Sequence, residues 1–309
     1  MSFTSQVKDE LAGIKGECEE CAISLCAALV RIEGNLVFKG AGRFELEVVT
    51  DLFQVARSVV FFMQDTCGLQ VEIVSRRNVL HKTPNWLIRI PAQSPLNDVL
   101  SELGVINGQG GLELSIAPHL IERDCCAKAY LRGAFMGSGF VGSPEGDAHF
   151  EMTYSSQAMA DSIVDLLERF GVHAKSMMRR NTYVVYLKRR SAIKSFMELV
   201  GATHAVEVLD RARATKSMRN EVNRRVNAEL ANQAKTTNAA IEQLRTIQLV
   251  LRHQDIRELP EALQTYIRLR ARHPDATLRE LGAMCDPPLT KSAIYHRVSR
   301  LEQIANKYR

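Results

Sequence analysis

Long apolar runs are missing from this chain. The most apolar short stretch, residues 59–63, is far too short to cross a bilayer. The opening segment MSFTSQVKDELAG carries Lys8, Asp9 and Glu10 where a secretory leader would carry an apolar core. A protein of the cytoplasm, with no membrane partner, is expected. Paired cysteine motifs are scarce too. The count of seven is odd, which argues against a disulfide framework and for a reducing compartment. Cys18 and Cys21 form one CxxC, and Cys125 and Cys126 are adjacent. A zinc site needs about four ligands, usually as two spaced pairs. With one CxxC, the expectation is no metal and small thiols buried in helix contacts. GxSxG and Walker A loops are absent. The glycine-rich residues 108–111 read as a link between repeats.

What remains is ordinary globular material. Hydrophobic residues make up 46% and charged residues 24% of 309, enough for packed cores and for two or three domains. The net charge of +5 is unevenly spread. Residues 205–309 hold 19 Lys and Arg against 12 Asp and Glu, whereas residues 1–204 are slightly acidic. A basic C-terminal third is an electrostatic hint of nucleic acid.

The first 204 residues contain a repeat. Gly34 and Gly139 each follow an apolar helical run and are 105 apart. Phe44-Glu45-Leu46 returns 106 residues later as Phe150-Glu151-Met152. Gly68 returns as Gly171, and Arg76-Arg77-Asn78 as Arg179-Arg180-Asn181, both 103 apart. Nearly constant offsets in one order indicate a duplicated unit. Each unit reads as αββαββα. The helices fall at about 18–33, 51–66 and 95–103, then 124–137, 155–170 and 190–200. The strands fall at 36–39, 43–50, 69–76 and 85–90, then 139–143, 147–153, 172–179 and 182–188. Ala27 and Ala28, with Gly133 and Ala134, would let the two leading helices approach along a pseudo-twofold axis.

The last third is helical. Arg211, Arg213, Lys216, Arg219, Arg224 and Arg225 cluster on a basic connector. Val222, Val226 and Leu230 form one stripe there, and Asn220, Asn223 and Asn227 another. Such asparagines suit phosphate or adenine contacts, or polar contacts between helices. Asn238 reads as the cap of a helix over 239–253. Pro260 opens a helix to about Arg272, and Thr277–Glu280 forms a capping box for a short helix. After a turn with Pro287 and Pro288, Thr290 caps a helix over 291–306. Its buried stripe is Ile294, Val298, Leu301 and Ala305. This is a tri-helical helix-turn-helix, with a turn longer than the usual three or four residues. Lys291, Ser292, Tyr295, His296 and Arg300 are candidates for base-edge contacts, with Arg279 on phosphate. Arg219, Asn220, Asn223 and Arg224 are further candidates for DNA. The competing reading is a winged or protein-docking tri-helix.

The segment Leu131-Arg132-Gly133-Ala134-Phe135-Met136-Gly137-Ser138-Gly139 resembles the LAGLIDADG motif of homing endonucleases. Cys26-Ala27-Ala28-Leu29-Val30-Arg31-Ile32-Glu33-Gly34 is a weaker copy. With Arg123-Asp124-Cys125-Cys126 ahead of it, Asn220-Glu221-Val222-Asn223-Arg224, and Asp286-Pro287-Pro288-Leu289-Thr290-Lys291-Ser292, nearly the whole chain resembles the WhiA family of sporulation regulators. The resemblance implies an α+β fold, a duplicated saddle of two four-stranded sheets followed by an all-α helix-turn-helix domain. The expected bounds are 1–107 and 108–204 for the repeats, 205–256 for the connector and 257–309 for the helix-turn-helix. The resemblance also implies a DNA-binding regulator tied to sporulation, cell division or chromosome segregation. RNA polymerase or a sigma factor is the implied protein partner, and no cofactor is implied. Homing endonucleases take a metal-binding acid from the end of each motif helix. The matching positions here are Glu33 and Ser138, one carboxylate and one neutral hydroxyl, a poor anchor for two hard cations. Loss of nuclease activity is therefore expected, and Glu33 reads as a helix-end carboxylate. Glu145 and Asp147 lie near Ser138 in sequence, but nothing in their spacing makes them substitutes. A metal-dependent endonuclease and a polymerase-docking or chromosome-associated protein are the alternatives. Arg76, Arg77, Lys82, Arg179 and Arg180, with Lys188, Arg189 and Arg190, could give the saddle basic edges or simply be solvated hairpin ends.

Overall fold

The computed structural model describes residues 2–77, 84–107, 109 and 111–309. The chain divides into two compact units, Met1–Lys216 and Ser217–Arg309.

The first unit opens with α1 (Phe3–Ala12), which the repeat pattern does not include. Ser2 caps it by accepting from Ser5 N at 3.1 Å. The first copy follows as α2 (Glu20–Glu33), β1 (Gly34–Phe38), β2 (Phe44–Thr50), α3 (Phe53–Phe61), β3 (Glu72–Arg77), β4 (Pro84–Ile90) and α4 (Leu96–Glu102). The second is α5 (Asp124–Ser138), β5 (Gly139–Val141), β6 (Phe150–Tyr154), α6 (Gln157–Arg169), β7 (Lys175–Arg179), β8 (Thr182–Tyr186) and α7 (Arg190–Val200). The elements and their order are those expected of αββαββα. A π-helical turn, Phe62–Thr66, prolongs α3.

Each copy forms an antiparallel sheet, in the orders β1-β2-β4-β3 and β5-β6-β8-β7. Gly34 pairs with Val48 in the first copy and Gly139 with Met152 in the second, so the two leading hairpins differ in register by two residues. In β2, Leu46 and Val48 are buried while Glu45 and Glu47 take the opposite face, the period-two pattern of a sheet with one side on a core. Gly68 (φ +66°) and Gly171 (φ +71°) end the middle helices in left-handed conformations that favour glycine. Arg180 and Asn181, with φ 50° and 62°, form the tight β7–β8 turn. Asn78 and Lys82 of the corresponding turn lie outside the described residues.

The two motif helices pack side by side in parallel. A Cβ on Gly133 would lie 2.4 Å from Leu25 O and 2.9 Å from Ala28 Cβ, so the helix backbones meet there. Ala27, Ala28 and Ala134 are fully buried at the same seam. Behind α5, the rings of Phe135, Phe150 and Phe196 lie 4.7–5.5 Å apart between centroids. The paired N-termini of α2 and α5 bring Cys18, Cys21, Cys125 and Cys126 together, with their sulfurs all within 4.8 Å. The sequence places small thiols in helix contacts, and the structure puts these four in a single contact. A CxxC and an adjacent pair 107 residues away become one group because the pseudo-twofold axis joins equivalent helix ends.

α8 (Thr203–His253) is a single unbroken helix. Asn238 therefore lies inside a helix and caps nothing, which corrects the break expected there. Residues 203–253 contain no glycine or proline, and one asparagine costs only about 0.7 kcal/mol relative to alanine. At its start, the Glu10 carboxylate accepts from His204 N at 2.7 Å and Ala205 N at 3.1 Å, satisfying donors that a helix leaves free. Val222, Val226 and Leu230 are exposed and line no core.

The second unit is all-α. It adds α9 (Glu261–Arg272), α10 (Leu278–Ala283) and α11 (Lys291–Ala305). Pro260 stands at the cap of α9, one position before its first helical residue. Ile247 and Val250 join Leu263, Ile267, Leu281, Ile294, Val298 and Leu301 in its core. Tyr266 donates to Gln243 Oε1 at 3.0 Å inside it. Arg270 is fully buried, and its Nη1 donates to the carbonyls of His273, Pro274 and Ala276 at 3.3, 3.2 and 2.6 Å. One guanidinium thus holds the α9–α10 turn. Arg270→Met should destabilise the protein by about 3 kcal/mol, because three partly buried or exposed turn carbonyls lose their shared charged donor, itself buried. Urea unfolding of the two proteins measures this, and equal midpoints would refute the role.

Candidate nucleic-acid interface

The helix-turn-helix is built from local signals. The Thr277 hydroxyl accepts from Glu280 N at 3.3 Å, and the Glu280 carboxylate accepts from Thr277 N at 2.7 Å. This capping box starts α10. Thr290 accepts from Ala293 N at 3.2 Å and starts α11. The long turn between them folds back, with Leu289 N donating to Gly282 O at 2.8 Å. A Cβ on Gly282 would lie 2.3 Å from Leu289 O, so glycine is what lets this turn close on α10.

Ile294, Val298, Leu301 and Ala305 bury one stripe of α11. Lys291, Ser292, Tyr295, His296 and Arg300 are all exposed. At 3.6 residues per turn they share the arc away from that stripe. Tyr295 and His296 approach edge to face, with centroids 6.5 Å apart. Arg279 is exposed on α10. Arg219, Asn220, Asn223 and Arg224 are exposed as well, but on α8. Between Arg224 and Gln243, where α8 meets Tyr266, the helix advances about 28 Å at 1.5 Å per residue. The connector residues therefore belong to a different patch from those of α11.

The saddle faces have a different chemistry. On the outer face of the first sheet, Arg89 meets Glu45, Glu47 and Glu72 at 3.3, 3.0 and 3.8 Å. Lys39 adds a second contact to Glu45 at 3.0 Å. Among the described side chains this cluster sets three carboxylates against two cations, a local balance that disfavours a phosphate at Arg89. On the second sheet, Arg179 is 3.5 Å from Glu151, and Phe140 and Met177 are exposed. Arg190 donates to Pro144 O and Gly146 O, so it fastens a loop. Arg180, Lys188 and Arg189 are exposed.

Glu33 and Ser138 end α2 and α5 beside the contact of Ile32 with Gly137. The Ser138 hydroxyl donates back to Ala134 O at 3.2 Å. Burial pushes the Glu33 carboxyl up to about 7, against the pull of Lys8 and with a small push from Asp51. Lys8 is itself lowered by burial. Glu33 is thus partly desolvated, more enclosed than the plain helix-end carboxylate expected. The pair offers a carboxyl that resists ionisation and a hydroxyl already engaged.

A carboxyl whose folded value lies above its ordinary 4.5 favours the protonated native state. Its contribution is greatest below pH 4.5 and declines as pH rises through about 7. Glu33→Gln should abolish this decline and gain about 1–2 kcal/mol on the parent above pH 7, after discounting for partial solvent screening. Thermal unfolding between pH 5 and 8 tests it. A variant that loses stability above pH 7 would instead make Glu33 the ionised partner of Lys8.

Comparison with known proteins agrees along the length of the chain. Residues 19–106 match the WhiA N-terminal LAGLIDADG-like domain, residues 127–219 the WhiA LAGLIDADG-like domain, and residues 222–305 the WhiA C-terminal HTH domain. A "Probable cell division protein WhiA" from Desulforamulus reducens is 40% identical over 311 residues, covering 100% of this chain and 97% of its own length. One from Heliobacterium modesticaldum is 38% identical over 309 residues, with coverage of 100% and 97%. The crystal structure of full-length DUF199/WhiA from Thermatoga maritima shares the fold, with a TM-score of 0.61 at 24% identity, covering 100% of this chain and 99% of that one. With relatives matched end to end and three domain models met in order, the chain belongs to the WhiA family.

Proposed function

We propose that this chain is a sequence-specific DNA-binding regulator in which α11 enters the major groove. The observation that carries this reading is the exposed arc of Lys291, Ser292, Tyr295, His296 and Arg300 on a helix whose other face is buried. Arg279 would hold a phosphate beside it. Arg219, Asn220, Asn223 and Arg224 would contact the duplex separately, as a backbone-tracking patch. The repeats (1–107 and 108–204) act as a scaffold, joined through the connector (205–256) to the reader (257–309). They do not cut DNA, because Glu33 and Ser138 lack the paired carboxylates that hold two cations. The carboxylates gathered around Arg89 on the first sheet favour a protein partner there over a phosphate backbone. RNA polymerase or a sigma factor is the partner class to try first.

The relatives' name ties the family to cell division, so the regulated genes should include division, segregation or sporulation functions. The working place of such a protein is the cytoplasm, on the nucleoid. Genome-wide DNA capture with the parent and a Lys291→Ala/Arg300→Ala variant tests the proposal. Sharp peaks sharing one motif, lost in the variant, are expected. Diffuse binding that survives the change would overturn it.

A further inference from the structure

We propose that Cys18, Cys21, Cys125 and Cys126 bind one zinc ion, which clasps the two repeats together at the paired N-termini of α2 and α5. Cys18 Sγ lies 3.4 Å from Cys21 Sγ and 3.5 Å from both Cys125 Sγ and Cys126 Sγ. Cys125 and Cys126 are 4.0 Å apart, and all four sulfurs lie within 4.8 Å of one another. A tetrahedron of sulfurs around zinc, with bonds of about 2.3 Å, has edges of about 3.8 Å. The observed separations bracket that edge. Thiolates around an iron–sulfur cluster stand farther apart, because iron and sulfide fill the space between them. Disulfide sulfurs are only about 2.05 Å apart, and all seven cysteines here are free.

The surroundings suit a thiolate-bound cation. Cys21 N donates to Cys18 O at 3.2 Å, closing a tight turn that aims both thiols inward. Gly16 packs over this turn, where a Cβ would lie 2.6 Å from Cys21 Cβ. Cys125 and Cys126 occupy the first turn of α5, where the positive end of a helix favours thiolates. Cys21 and Cys126 are buried, with Ala129 beneath them, while Cys18 and Cys125 reach solvent and give an ion a way in. Four thiolates around Zn²⁺ carry a net charge of about −2. Arg132 lines a cavity together with Cys21, and Arg123 lies next to Asp124 and the cysteine pair in sequence while pairing with Glu20 at 3.0 Å. Arg132 is held in place by its Nε donating to Val200 O at 2.9 Å. One ligand pair comes from each repeat, so the ion would cross-link the halves at the end away from Glu33 and Ser138.

The test uses the full chain, expressed in zinc-containing medium and purified under reductant. Elemental analysis should find about one zinc per chain, and X-ray absorption at the zinc edge should show four sulfurs at about 2.3 Å. Neither readout needs a variant. Cys18→Ser/Cys21→Ser should lose at least nine-tenths of the zinc, while Cys67→Ser keeps it. If the double variant does not fold, cobalt added to the stripped parent should give the absorption bands of a tetrahedral thiolate complex. Four reactive thiols without metal, a disulfide by mass, iron with labile sulfide, or nitrogen and oxygen ligands at the zinc would each overturn the proposal.

Discussion

Gly133→Ala is expected to destabilise the protein by roughly 3–5 kcal/mol, although alanine is the better helix former by about 1 kcal/mol. The new methyl carbon would sit 2.4 Å from Leu25 O and 2.9 Å from Ala28 Cβ. A carbonyl oxygen inside α2 cannot rotate away, since it belongs to the helix ladder. Relief requires α2 and α5 to separate, and that opens the seam at Ala27, Ala28 and Ala134. Overpacking of a rigid core costs about 1–3 kcal/mol, and the lost contacts along the seam add to it. Gly137→Ala is the control. Its methyl would meet Ile32 Cγ2 at 2.9 Å and Cβ at 3.2 Å, side-chain carbons rather than a helix carbonyl, so the loss should be smaller than for Gly133→Ala. Urea unfolding of both variants decides. A Gly133→Ala protein within 1 kcal/mol of the parent would show that the two helices have slack.

Lys291→Ala/Arg300→Ala should weaken binding to the specific site by about a hundredfold or more, since each base-edge contact is worth about 1–3 kcal/mol. Binding to unrelated DNA should fall far less, because phosphate contacts elsewhere persist. The fold should be intact, as both side chains are exposed and the core stripe of α11 is untouched. Arg219→Ala/Arg224→Ala should behave differently. It should weaken specific and unrelated DNA by the same factor and reduce the salt slope by about 2. Fluorescence anisotropy across a salt series separates the two patterns. A loss of affinity in the Lys291/Arg300 variant that is equal for all sequences would remove α11 as the reader.

Much of this molecule is determined locally, and the sequence shows it. The alternation around Leu46 and Val48 places a strand because a sheet with one buried face needs period two. Thr277 with Glu280, and Thr290, mark helix starts because the free donors there need acceptors within three residues. The spacing of Ile294, Val298, Leu301 and Ala305 dictates which side chains α11 leaves in solvent. The duplication is legible for the same reason, since each copy repeats its own local rules at a nearly constant offset.

Other features depend on what lies across the chain, and only the tertiary structure decided them. Asn238 carries a capping signal, yet helix persists through it because nothing on either side breaks the ladder. Glu33 resists ionisation through burial that no neighbour in sequence supplies. Arg270 looks like one more basic residue of a basic domain until the α9–α10 turn folds three carbonyls onto it. Cys18 and Cys21 lie more than a hundred residues from Cys125 and Cys126, and only the pairing of α2 with α5 makes the four one site. Hydrogen-bonding and periodicity rules act over a few residues and can be read along the chain. Burial, close approach of backbones and ligand geometry are set by the packing of elements, which exists only in the folded molecule.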